Sequence, residues 1–119
     1  MTQLADTVAN ALAMSDDDLD ALAAELRAAI EGEVLVDRSS RLLYANDASI
    51  YQMEPVAVVF PRHSADVQAV VRVAAQRGVP VLARGAGTSL AGQAVNHAIV
   101  LDCSRHMNRV IEINEAEQW

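Results

Sequence analysis

"VAVVFPRHSADVQAVVRVAAQRGVPVLARGAGTSLAGQAVNHAIVLD", Val56 to Asp102, is the stretch whose reading decides the fold. Val56 to Phe60 is a continuous apolar, largely β-branched run closed by Pro61, as expected of a strand buried on both faces. Ser64 then predicts a helix cap, with Asp66 in the first turn, Val67, Val70, Val71 and Ala74 on one face, and Gly78 as the stop. "VPVLA" follows as a second strand. A strand, helix, strand unit with such short connections predicts a right-handed parallel crossover. Two further strands are expected, "AIVLD" and "RVIEI", joined by "CSRHMN".

Between "VPVLA" and "AIVLD" lies a loop with Gly85, Gly87 and Gly92, leaving the end of a strand where open α/β sheets bind ligands. Glycines permit positive φ and remove side chains, so that successive backbone N–H groups converge into a nest that accepts phosphate oxygens. Thr88 and Ser89 add hydroxyls, and Arg84 is the cation at the loop. The named phosphate motifs do not fit. A P-loop requires Gly-Lys-Ser/Thr, whereas Gly92 is followed by Gln93 and Ala94; the dinucleotide fingerprint requires a third glycine where Leu90 stands, and a helix where the chain leads to a strand. Spacing alone leaves open both a pyrophosphate nest and a tight turn between strands.

Working outward, Leu4 to Ala13 reads as an alanine-rich amphipathic helix with Leu4, Val8 and Leu12 on one side. Ser15 is the expected cap of a second helix: Asp16 to Asp18 complement its macrodipole, Leu19, Leu22, Ala23, Leu26 and Ile30 follow at helical spacing, and Gly32 ends it. "EVLVD" is a short strand candidate. "RSSRLLYANDASIYQMEP" has no sustained period and reads as an ordered connector.

Composition narrows the function. The 119 residues suffice for one domain or part of one. Sixteen acidic residues stand against nine basic ones, all arginine, and the formal charge of −7 argues against a nucleic-acid or anionic-membrane partner. Cys103 alone excludes an internal disulfide framework and a cysteine-rich metal site, and favours a reducing compartment, the cytoplasm. Neither a transmembrane run nor a signal peptide is visible. His63, His97 and His106 read as surface or capping residues and receive no catalytic role.

Pro55 to Asn114 resembles the opening of the FAD-binding domain of the vanillyl-alcohol oxidase/para-cresol methylhydroxylase superfamily. The resemblance is carried, in order, by the strand ending in Pro61, the Asp66-Val67 helix start, the Arg84-Gly85-Ala86-Gly87-Thr88-Ser89 loop with Gly92-Gln93, and Met107-Asn108. It is nearest the FAD-linked D-lactate, glycolate and 2-hydroxyglutarate dehydrogenases. With the lead-in "DRSSRLLYANDASIYQMEP" it covers about two-thirds of the chain, leaving out residues 1 to 31. The resemblance implies an α+β fold: residues 1–54 form a helical lead-in and connector, and 55–119 the first α/β subdomain of a para-cresol-methylhydroxylase-type domain, incomplete at Trp119. It further implies FAD bound at Pro61, Arg84, Gly85, Ala86, Gly87, Thr88, Ser89, Gly92 and Gln93. Some relatives attach flavin to a histidine where this chain has Thr88, so noncovalent FAD is expected. A small 2-hydroxy acid is the implied substrate. Catalytic residues and, in fused relatives, an iron–sulfur module would lie beyond Trp119. A chain of this extent is expected to self-associate through an uncovered sheet edge and apolar face. A different reading also stands at this point, a noncatalytic split or truncated domain that pairs with another polypeptide.

Overall fold

The computed structural model describes residues 2–119, except the side chains of residues 2–5 and Val8; the expected facing of Leu4 and Val8 lies outside the described residues. Four helices and four strands are found among the described residues: α1 (Thr2–Leu12), α2 (Asp16–Ala29), β1 (Glu33–Leu35), α3 (Arg38–Leu43), β2 (Ala57–Phe60), α4 (Ser64–Arg77), β3 (Val81–Arg84) and β4 (Ile99–Asp102). The mixed architecture is α+β, as expected. The strands form one sheet in the order β1-β2-β4-β3, with β1 antiparallel to β2 and the other neighbours parallel.

The parallel strands flanking α4 are thus not neighbours, because β4 inserts between them. Burial explains the order. All four residues of β2 and of β4 are buried, so the two most apolar runs take the centre, whereas β3 at the edge is only partly covered. Alternation then divides the sheet into two faces. Ala57, Val59, Ile99 and Leu101 join Leu19, Leu22, Ala23 and Leu26 of α2 and Val70, Val73 and Ala74 of α4 in one core. Leu22 and Leu26 are wholly buried, and each contributes about 1.5–3 kcal/mol by leaving water. Phe60 and Asp102 belong to the opposite face, where Tyr44 meets both. Val34 shares the helical core, so residues before 55 belong to the same packed unit as those after it.

Local chemistry corrects several expectations. Ser15 caps α2 in a capping box with Asp18, but α2 ends at an extended Ile30, and Gly32 does not stop it. Gly32 instead lies so close to β2 that a Cβ would collide with the Phe60 carbonyl. α4 is capped by His63, not Ser64, with the His63 side chain accepting from the Asp66 amide; Gly78 closes it in the left-handed conformation. The aperiodic connector contains α3, capped by Asp37, which six residues could not announce through periodicity. "RVIEI" is not a strand: nothing among the described residues pairs with it, and Val110, Ile111 and Ile113 are exposed. A β-prone run needs a neighbouring strand to satisfy its backbone.

Order in the connector comes from arginines that grip backbone carbonyls. Arg41 donates to Val36 and Pro55 and pairs with Glu54, while Arg84 reaches Tyr44 and Asn46. The guanidinium's rigid fork of donors suits this use.

Asp66 fastens the helical layer to the sheet. Its carboxylate is buried and accepts the Glu31 amide at 3.0 Å and the Arg62 amide at 2.9 Å, joining the turn after α2 to the turn after β2. Burial pushes its pKa up, but the amides of Arg62 and Glu31 and the nearby His63 outweigh this and hold it below the ordinary value. Asp66→Ala is expected to cost about 2–4 kcal/mol, since two buried amides lose their acceptor. A folded-state pKa below the unfolded one means that the carboxylate's stabilisation is present above the ordinary value of 3.8 and is lost as pH falls below it. Urea unfolding of both proteins from pH 7 to pH 3 should show the difference between wild type and variant shrinking with acid; a constant difference would contradict the role.

Candidate functional site

The C-terminal ends of β2, β4 and β3 place Phe60, Asp102 and Arg84 at the edge from which the glycine loop departs. Tyr44, just after α3, joins all three. Its hydroxyl donates to Asp102 at 2.5 Å, its ring meets Phe60 edge-on at 6.1 Å, and the Arg84 guanidinium lies 5.1 Å from its centroid. Burial first, and then the bond to Asp102, push the Tyr44 hydroxyl up to about 12, so it is a hydrogen-bond donor and not an acid at neutral pH. Burial also acts to raise Asp102, but bonds from Ser104 and Tyr44 leave it below the usual carboxylate range and therefore charged. Cys103 is pushed up by burial and then by the Asp102 charge, so its thiol is held protonated and inert.

The connector clasps the loop from the same side. Arg84 donates to the carbonyls of Ala94 at 2.9 Å, Asn46 at 2.8 Å and Tyr44 at 3.3 Å. Asp47 accepts the Ser49 amide at 2.8 Å and the Ala94 amide at 3.3 Å, and the bond from Ser49 leads the effects that hold its pKa low. The Ala48 amide donates to the Gly87 carbonyl at 3.1 Å. Gly87 has φ +70°, and a Cβ there would run into the Arg84 guanidinium, so both its backbone and its surroundings require glycine. Ser89 organises the far turn: its hydroxyl accepts the amides of Ala91 and Gln93 and meets the Gln93 side chain. A Cβ at Gly92 would press on the Tyr51 ring.

What these contacts leave unpaired in the loop is a run of backbone amides. Among the described residues, the amides of Gly85, Ala86, Gly87, Thr88, Ser89 and Leu90 find no acceptor in the chain. A Cβ at Gly85 would meet nothing within 4 Å, and its φ lies outside the left-handed region, so the chain has no internal need for glycine there. Consecutive free N–H groups beside a position kept bare suit an anion such as a pyrophosphate.

The sites expected from sequence are thus mostly gathered here, with two qualifications. The Arg84 guanidinium is turned to carbonyls. Pro61 is wholly buried beyond β2, separated from β3 by β4. The sequence reading missed Tyr44, Asp47 and Asp102; the Asp-x-Ser pattern of Asp47 and Ser49 was the one local signal. His63 caps α4, and His97 Nδ1 lies 2.8 Å from the Glu54 carbonyl. No group of three metal-ligating side chains occurs among the described residues, and no described helix is long and apolar enough to cross a membrane.

A glycine loop with unpaired amides at the carboxyl ends of parallel strands is the place where open α/β sheets receive ligands. The chain belongs to the FAD binding domain family, which it matches over residues 55–119. It is 50% identical over 91 residues to the D-2-hydroxyglutarate dehydrogenase of Escherichia coli strain K12, covering 74% of this chain and 9% of that protein. It is 35% identical over 80 residues to the glycolate oxidase subunit GlcD of Bacillus subtilis strain 168, covering 65% of this chain and 17% of that one. The chain therefore spans a small part of the relatives it matches. Among solved structures, it superimposes on 4-ethylphenol oxidase from Gulosibacter chungangensis with a TM-score of 0.65 and 27% identity, covering 87% of this chain and 21% of that one. With p-cresol methylhydroxylase the TM-score is 0.67 at 21% identity, over 86% and 21% of the two chains, a likeness of fold. The α+β fold and the flavoprotein family expected from sequence are those found.

Proposed function

We propose that this chain supplies the pyrophosphate-binding segment of an FAD-dependent dehydrogenase that oxidises a small 2-hydroxy acid, D-2-hydroxyglutarate being favoured over glycolate and D-lactate. The observation that carries the site is the run of free amides from Gly85 to Leu90 beside a glycine the chain does not itself need. The substrate class is supported by the names of the relatives, of which the dehydrogenase of D-2-hydroxyglutarate is the more similar.

In this reading the backbone of Gly85 to Ser89 receives the pyrophosphate, with the Thr88 hydroxyl exposed beside it and Gly92-Gln93 completing the turn. Amide dipoles neutralise the phosphates without cations, which suits a chain with no lysine. FAD, when bound, supplies the redox chemistry by accepting the two electrons that leave the hydroxy acid. The chain's own contribution is to bind and orient. Thr88 offers no nucleophilic nitrogen for attachment, so the flavin is held noncovalently.

The loop reading is tested with Gly85→Val in the full-length protein. We expect FAD affinity to fall by about tenfold or more, with the melting temperature of the apoprotein unchanged, because the new side chain enters open space on the phosphate side. Wild-type affinity would reduce the loop to a structural turn. Acid precipitation of the holoprotein should leave the flavin in the supernatant; flavin retained in the pellet would contradict noncovalent attachment.

A further inference from the structure

We propose that Arg84 and Asp47 are positioning residues, which fix the glycine loop by its own backbone so that its amides face the cofactor, and that Arg84 is not itself a phosphate ligand. The inference rests on the loop being the pyrophosphate site. Its basis is the way the two side chains share Ala94: Arg84 holds the carbonyl at 2.9 Å and Asp47 holds the amide at 3.3 Å. Arg84 spends both hydrogens of Nη1 on Tyr44 and Ala94 and one of Nη2 on Asn46, while Gly87 lies against its Nη2 and Nε edge and the Tyr44 ring lies near its carbon centre. A guanidinium so enclosed is poorly placed to form the paired bonds by which arginine grips phosphate.

Asp47 makes the same case from the opposite charge. A carboxylate beside a pyrophosphate repels it, and its presence is explained by the two amides it accepts, from Ser49 and Ala94. The Ala48 amide adds a third tie, to the Gly87 carbonyl. The connector's hydrogen bonds to Arg84, Gly87 and Ala94 come from Tyr44 to Ala48, and the ring beside Gly92 is that of Tyr51, all ahead of residue 55, where the family match begins. The cofactor loop is thereby held in shape by a segment outside the matched domain, as preorganisation of a binding site demands.

The test measures FAD affinity by fluorescence titration of the full-length apoprotein, together with its melting temperature and the salt dependence of binding, for Arg84→Lys, Arg84→Ala and Asp47→Asn. Lysine keeps the charge, but one ammonium cannot span three carbonyls, so Arg84→Lys should weaken FAD about as much as Arg84→Ala, by roughly tenfold, with the wild-type salt dependence retained. Asp47→Asn keeps the turn to Ser49 and loses the Ala94 amide, so it should weaken FAD by a few-fold even though it removes a negative charge near an anion. Near-wild-type affinity in Arg84→Lys with loss in Arg84→Ala would make Arg84 a direct ligand and overturn the proposal, as would wild-type affinity in all three. Should the Arg84 variants fail to fold, unchanged or tighter FAD binding by Asp47→Asn overturns it alone. Gly85→Val separates the two levels. If it binds FAD as wild type does, the loop reading has failed; if it loses FAD while Arg84→Lys does not, only the positioning role has.

Discussion

The Arg84 guanidinium, bonded to carbonyls from the connector and from the far end of the glycine loop, is the constraint on which the site depends. A loop of glycines has many conformations, and fixing even one residue costs on the order of 1–2 kcal/mol. By tying Ala94 and Asn46 to the base of β3, Arg84 meets that cost during folding, before any ligand arrives. The Ala48 amide adds a tie to the Gly87 carbonyl, so the loop's bonds to the connector engage the Gly87 and Ala94 carbonyls, while the amides from Gly85 to Leu90 find no acceptor among the described residues.

This arrangement is anchored in the sheet. β2, β4 and β3 end together, so Phe60, Asp102 and Arg84 form a row on one face, and Tyr44 rests on that row through a hydroxyl bond and ring contacts. Asp102 is buried and charged, with Tyr44 and Ser104 satisfying it. On the other face α2 and α4 fill the core, and Asp66 fixes the turns that lead into β1 and α4. An irregular connector of this length is ordered because its polar backbone finds arginine, aspartate and sheet partners.

Much of this was legible in the sequence. The apolar runs at Val56 and Ile99 marked the central strands, Ser15 and the aspartates after it marked α2, and the glycine spacing marked the loop that Arg84 and Asp47 clasp. What escaped was long-range. Nothing local to Arg84 says that its side chain crosses to residues some forty positions earlier, and nothing local to Asp47 says that it meets Ala94. The placing of β4 between β2 and β3 is likewise a matter of which run is most apolar when all compete for the centre. "RVIEI" misled because β-propensity describes fitness for a pleated surface and supplies no partner.

The central claim, that the backbone of Gly85 to Leu90 holds the FAD pyrophosphate, is tested most directly by hydrogen–deuterium exchange of the full-length protein with and without FAD. Unpaired, exposed amides exchange fast, and bonding to phosphate oxygens slows them. The account predicts that peptides covering residues 85–90 change from fast to strongly protected exchange on FAD binding, while those covering 44–49 are already protected in the apoprotein. Fast exchange at 85–90 in the FAD-saturated protein, with protection elsewhere in the domain, would contradict it.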